Sequence, residues 1–207
     1  MCQVEFDKRL RGHSAYVSNM EMDFNPGNES LGAGIHFGEV SNVRQAAGLI
    51  FTESNYTPQL QTPIHTHETA SFTMVIDGGY VEQFRSMAFE CSRGTILFRA
   101  SGEPHYDRMS NDGAHCLMTE LPRNWQERML EGGLKPSAPR QLNQAFDFIA
   151  QLRRELLTND SVTSLAVEAL TLELICNFIR EQREAHRATV CLPTLTRLDS
   201  GEWTARS

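Results

Sequence analysis

The sequence predicts a mainly β protein, an antiparallel barrel or sandwich followed by a C-terminal pair of helices. Three observations carry this. Between Ala47 and Leu121 short apolar runs alternate with turn residues, and no helical periodicity intervenes. Beyond Leu121 the apolar residues recur at helical spacing instead. Within the first region, His65-Thr66-His67 places two imidazoles on one face of an extended segment, ~6.6 Å apart along the strand.

The elements follow in order. Residues 1–41 are polar and irregular, with a turn at Asn25-Pro26-Gly27-Asn28. Strands are expected at Ala47–Thr52, Ala70–Ile76, Tyr80–Phe84, Thr95–Phe98 and Cys116–Leu121. Asp77-Gly78-Gly79 reads as the turn of a hairpin, and Arg93-Gly94 and Ser101-Gly102 as two further turns. Pro122-Arg123-Asn124-Trp125 opens a short helix that Gly132-Gly133 stops. A second helix is expected from about Arg140 to Leu157, carried by Leu142, Ala145, Phe146, Ile149, Leu152 and Leu156. Asn159-Asp160 breaks the chain and caps a third, from about Val162 to His186.

That third helix carries two adjoining apolar stripes. Leu165, Ala169, Leu172, Ile175 and Ile179 form one; Val167, Leu170, Leu174 and Phe178 form the other. A surface so broad exceeds what one partner helix covers, so Leu165, Leu172, Ile175 and Ile179 are the expected dimer face, a wholly intrachain core being the alternative. The chain thus divides into a barrel (1–122), a helical packing segment (123–187) and a tail (188–207).

Composition narrows the function. The formal net charge is −7 and no basic face is visible, so direct nucleic-acid binding by this chain is not expected. No apolar run approaches membrane-span length, and Met1–Asp7 lack the pattern of a secretory signal, which points to a cytoplasmic protein without a membrane partner. The five cysteines, Cys2, Cys91, Cys116, Cys176 and Cys191, form no C-x-x-C pair and read as reduced, buried thiols.

Residues 63–122 resemble the two signature segments of the cupin superfamily, a small β-barrel fold. His65, His67 and Gly78 stand at positions of the first motif, with Ser71 and Phe72 where the family carries its metal-binding glutamate. Gly94, Gly102 and His105 match the second, with Ala100 in place of a proline and Met109 in place of an asparagine. His67-Glu68, Val75-Ile76-Asp77-Gly78, Gly102-Glu103-Pro104-His105 and Thr119-Glu120-Leu121 further resemble the sensor half of AraC-type transcription regulators. So do the helical stretches Leu152–Leu156 and Ser164–Leu174, so that this similarity spans roughly residues 45–187.

The resemblance implies a cupin-like barrel that senses a small-molecule effector and dimerises, with itself or with an intact relative. It also implies that this chain lacks the helix-turn-helix half that would follow.

His65, His67 and His105 are the candidate metal ligands, since three imidazoles plus water suffice for Zn²⁺ and can also hold Fe²⁺ or Mn²⁺. They could equally line a ligand pocket without an ion. Arg99, Glu103, Tyr106 and Arg108 cluster around the second segment as candidate effector contacts, because arginine binds carboxylates bidentately; the alternative is a solvated rim. Glu68 should face away from His67. His115 reads as a satisfied core or surface residue, while His13, His36 and His186 lie in polar contexts that carry no site. No nucleophilic triad, phosphate loop or dinucleotide fingerprint is visible. A small metal-dependent enzyme using the three histidines, a dioxygenase or isomerase, is the competing expectation.

Overall fold

The computed structural model describes residues 29–207 except 86, 134–139, 143–144, 191–194, 198–202 and 206–207. The Asn25–Asn28 turn, His13, Cys2 and Cys191 lie outside the described residues, as does the side chain of His186. The strands are β1 (Glu29–Leu31), β2 (Glu39–Ala46), β3 (Leu49–Tyr56), β4 (His65–His67), β5 (Ala70–Phe84), β6 (Met87–Ser92), β7 (Ile96–Arg99) and β8 (Tyr106–Leu121). Then come α1 (Arg123–Glu131), β9 (Arg140–Leu142), α2 (Phe146–Thr158), α3 (Thr163–Val190) and a short pair, β10 (Leu195–Arg197) with β11 (Trp203–Ala205). This is the expected mainly β architecture, an antiparallel barrel followed by a helical hairpin.

The main sheet runs β2-β3-β8-β5-β7-β9, with β6 on the far half of β5, and every pairing in it is antiparallel. β1 pairs in parallel with β4, and an isolated bridge joins His65 to His105. Period-two alternation assigns the two faces. Leu49 and Phe51 of β3, Phe72 and Met74 of β5, Ile96 and Phe98 of β7, and Leu117 and Leu121 of β8 join the helices in one large core. The residues between them, Thr52, Ser54, Thr73, Arg99 and Cys116, face the barrel interior, as Tyr80, Glu82 and Asp107 do further along, and all are buried. With both faces covered, these strands read as continuous runs rather than an alternating pattern.

The expected hairpin at Asp77-Gly78-Gly79 does not form. β5 continues through it as one strand of 15 residues, paired along β8 with irregularities at Val75/Asp77 and Gly78/Tyr80. Gly78 (φ +68°) sits where the two strands press together: a Cβ there would lie 2.2 Å from the carbonyl oxygen of Gly113. The glycine is a bulge at a close backbone approach, the other meaning of glycine inside a strand pattern.

The second helix also starts later than its periodicity suggested. Residues 140–142 pair with Ile96–Phe98 as β9, and the Ala145 N–H donates to the Gly94 carbonyl at 2.8 Å. Without them the open edge of β7 would leave backbone groups unpaired in a buried strand. The short first helix and its glycine stop lie where expected. Trp125 anchors that helix, fully buried, with its indole N–H donating to the Ala47 carbonyl at 3.2 Å.

Asn159 ends α2 in the left-handed conformation (φ 48°), and the Asp160 carboxylate accepts from the Val162 N–H at 3.0 Å. Of the second stripe of α3, Val167, Leu170, Leu174 and Phe178 are buried against the sheet, and Phe178 lies 5.2 Å from the Phe72 ring. Of the first, Ile175 and Ile179 are buried in the same intrachain core, Leu172 is half-buried and Leu165 is 71% exposed. Cys91 and Cys116 are buried in the barrel, whereas Cys176 is exposed on α3, contrary to the expectation of buried thiols. No helix among the described residues is long and apolar enough to cross a membrane.

Candidate functional site

The structure brings His65, His67 and His105 together. His65 and His67 are alternate residues of β4 and both buried, with rings 5.1 Å apart. His105 precedes β8 and is held opposite His65 by a reciprocal backbone pair, N–H to carbonyl at 2.9 and 3.0 Å. Its ring lies 4.2 Å from that of His65 and 5.4 Å from that of His67. One ligand atom from each of the three lies within 4.8 Å of the others.

Their tautomers follow from their partners. Nδ1 of His65 is 2.9 Å from the Pro63 carbonyl and Nδ1 of His105 is 2.9 Å from the Glu103 carbonyl. A carbonyl only accepts, so both Nδ1 atoms carry the proton and both Nε2 atoms offer a lone pair. Burial, reinforced by the Arg99 charge, pushes His67 down to about 2. Burial also pushes His65 down to about 4, despite the opposing Pro63 hydrogen bond, and holds His105 well below its ordinary value. All three are neutral at physiological pH, the form that binds a metal ion.

A fourth histidine stands beside them. His36, in the segment between β1 and β2, is 5.6 Å ring to ring from His67, and burial, then Arg99, pushes it down to about 4. Its Nε2 lies 3.5 Å from Glu120, too long for a good hydrogen bond and, with the imidazole neutral, not an ion pair. Glu120 is committed elsewhere, its two oxygens accepting from the Gly34 N–H at 2.8 and 2.9 Å. That carboxylate holds residues 32–38 as a strap against β8, and His36 and Phe37 of the strap line the cavity. In the sequence His36 carries no signal, since nothing local foretells a strap fixed by a residue 86 positions away.

The remaining sequence candidates are distributed by strand alternation. Arg99 points inward, but Glu82 takes its fork, Nε to Oε1 at 2.8 Å and Nη2 to Oε2 at 2.9 Å. Burial opposes the Arg99 charge and the Glu82 carboxylate outweighs it, so the guanidinium is charged and engaged. Tyr106 and Arg108 alternate outward from His105, Asp107 and Met109; Tyr106 is half-buried and Arg108 exposed. Glu103 is half-buried, with an oxygen 4.0 Å from Arg85 at the rim. Glu68 is exposed, as expected from its position beside His67. Nε2–H of His115 donates to the Glu53 carboxylate at 2.7 Å.

The cavity between these side chains is lined by His36, His65, His67, Tyr80, Arg99 and Asp107 among others, and its free space is about 10 Å³ for the centre of a water-sized sphere. That admits about one water molecule. Asp107 is 8% exposed, its carboxyl raised to about 7 by burial and then by Glu82. Its Oδ1, the Tyr80 hydroxyl and Nε2 of His105 are buried without a hydrogen-bond partner.

No family model and no curated protein matches this chain. Among solved structures it is similar to the oxalate decarboxylase of Bacillus subtilis with Mn(II) centres, at 19% identity and a TM-score of 0.33, over 45% of this chain and 24% of that one. It is also similar to a protein of unknown function from Rhizobium leguminosarum (16%, TM-score 0.38, 42% of this chain and 84% of that one). A third is a protein from Neisseria meningitidis (17%, TM-score 0.35, 39% and 80%). The chain spans 24% or less of the length of oxalate decarboxylases such as these.

Proposed function

We propose that the protein is a metal-binding cupin-type barrel in which His65, His67 and His105 hold one divalent ion. The observation that carries this is the pair of backbone-locked Nδ1 protons, which leave inward Nε2 lone pairs, one of them fully buried with no partner. Such second-layer hydrogen bonds are how metal-ligating histidines are usually oriented. Ligation at ~2.1 Å requires nitrogens roughly 3–3.5 Å apart, so the present separations, within 4.8 Å, need only small ring rotations. Three imidazoles suit Zn²⁺ or Fe²⁺, and a nearby carboxylate also admits Mn²⁺. A bound ion would act as a Lewis acid toward a small polar ligand at its open position. The chain's own part is to keep the imidazoles neutral and exclude bulk water. Elemental analysis of protein purified without a metal-chelating tag tests the reading. Near-stoichiometric zinc, iron or manganese, lost in His105→Ala, is the expected result; a metal-free protein that takes none up on dialysis would overturn it.

A second reading, small-molecule sensing of the AraC type, is favoured by how the sheet joins the cavity to the helices. Thr73 and Arg99 face the interior, while their strand neighbours Phe72 and Phe98 pack 5.2 and 6.3 Å from Phe178 of α3. A ligand that moved β5 or β7 would be felt by the helical hairpin, and through it by a second copy or an intact relative meeting Leu165 and Leu172. With space for about one water, an effector of more than a few atoms must displace the strap 32–38. A change in sedimentation coefficient on adding metal and candidate ligand is the expected signature.

A further inference from the structure

We infer that Asp107 supplies the fourth protein ligand to the ion held by His65, His67 and His105, in place of a carboxylate following the His-x-His pair. This rests on the metal-binding reading and adds to it. His105 belongs to two donor sets: one with His65 and His67, the other with Glu82 and Asp107, the ligand atoms within each set lying within 4.8 Å of one another. With Nδ1 committed to the Glu103 carbonyl, His105 has a single free nitrogen to share between the two sets, and Asp107 lines the same cavity as His65 and His67.

Of the two carboxylates only Asp107 is free to turn to it. Both Glu82 oxygens accept from Arg99, whereas Oδ1 of Asp107 is buried without a partner. The backbone at Asp107 is fixed by Thr62, its N–H donating to the Thr62 hydroxyl at 2.8 Å and its carbonyl accepting from the Thr62 N–H at 3.0 Å. Asp107, in β8, follows His105 by two in extended chain, and both side chains are buried on the inner side. At the position where the signature carries its glutamate, Ser71 and Phe72 offer no carboxylate.

Titration of metal-free protein with Co²⁺, followed by its visible absorption, tests this in wild type, His65→Ala, Asp107→Asn and Asp107→Glu. The expected result is saturable binding by wild type, loss in His65→Ala, and a roughly 10- to 100-fold weaker affinity with an altered spectrum in Asp107→Asn, partly restored in Asp107→Glu. Infrared difference spectra of wild type on adding Zn²⁺ give a readout independent of variant folding, with a shifted carboxylate stretch expected. Asp107→Asn binding within twofold of wild type with an unchanged spectrum, or no carboxylate shift, overturns the fourth-ligand assignment while leaving the three-histidine site intact. No Co²⁺ binding by wild type overturns both.

Discussion

His105 has one nitrogen committed to the Glu103 carbonyl and the other facing a cavity without a partner, at a position with no exposed surface. Leaving a buried acceptor unsatisfied costs about 1–3 kcal/mol, a cost that an ion or a water would remove. The same burial fixes how the metal-free protein responds to pH. In the unfolded chain the imidazoles take protons below 6.5, while in the fold His36 and His65 refuse them until about 4 and His67 until about 2. Their contribution to stability therefore falls as pH drops through that window. Asp107 acts oppositely, holding its proton up to about 7 instead of 3.8, and Glu82 and Glu120, also raised by burial, act with it. Four histidines, His105 included, against three carboxyls predict a net rise in stability between pH 4 and 6.5. Denaturant midpoints across that range at constant ionic strength check it, and a falling curve would contradict it. The His-x-His spacing and the second histidine segment were visible in the sequence because ligand alternation is local. His36 and the engagement of Arg99 were not, because each depends on a partner far along the chain.

Elements show where local pattern misleads. Strands β3, β5, β7 and the end of β8, and the glycine turns after Arg93 and Ser101, lie where runs and turn residues place them, whereas β2, β6 and the first half of β8 do not follow from an apolar run. Asp77-Gly78-Gly79 has a turn composition but sits inside β5, because glycine serves a hairpin and a close strand crossing equally well. Gly78→Ala should therefore be strongly destabilising: φ +68° costs about 1–3 kcal/mol for a non-glycine residue, and the Cβ would also strike the Gly113 carbonyl. Thermal melting checks this, and a variant with an unchanged Tm would argue against the bulge. The strand at 140–142 was hidden for a related reason, since helical spacing of Leu142 with Ala145 and Phe146 says nothing of an open edge waiting on β7. Phe178 joins the helical layer to Phe72 and Phe98 of the sheet, so Phe178→Ala should lose about 3–5 kcal/mol in chemical denaturation.

At the scale of the molecule, one sheet serves two compartments. Its outer face, with the helices, is an apolar core; its inner face encloses polar groups around a space of about one water. This division is why the helices carry so much apolar surface. Ile175 and Ile179 are buried within the chain, while Leu165 (71% exposed), with Leu157 (65%) and Val162 (56%) near the turn between α2 and α3, is among the apolar side chains open to a second copy. If that patch supports a dimer, sedimentation at tens of micromolar should show one, weakened by Leu165→Glu; a monomer at that concentration would exclude dimerisation through it.

On the proposed reading, three neutral imidazoles converge on one ion. Anomalous diffraction at the zinc edge, from crystals of tag-free protein grown with Zn²⁺, addresses it directly. A single strong peak is expected ~2.1 Å from Nε2 of His65 and His105 and from one nitrogen of His67. A peak elsewhere, or an ordered water at that point despite saturating zinc, would contradict it.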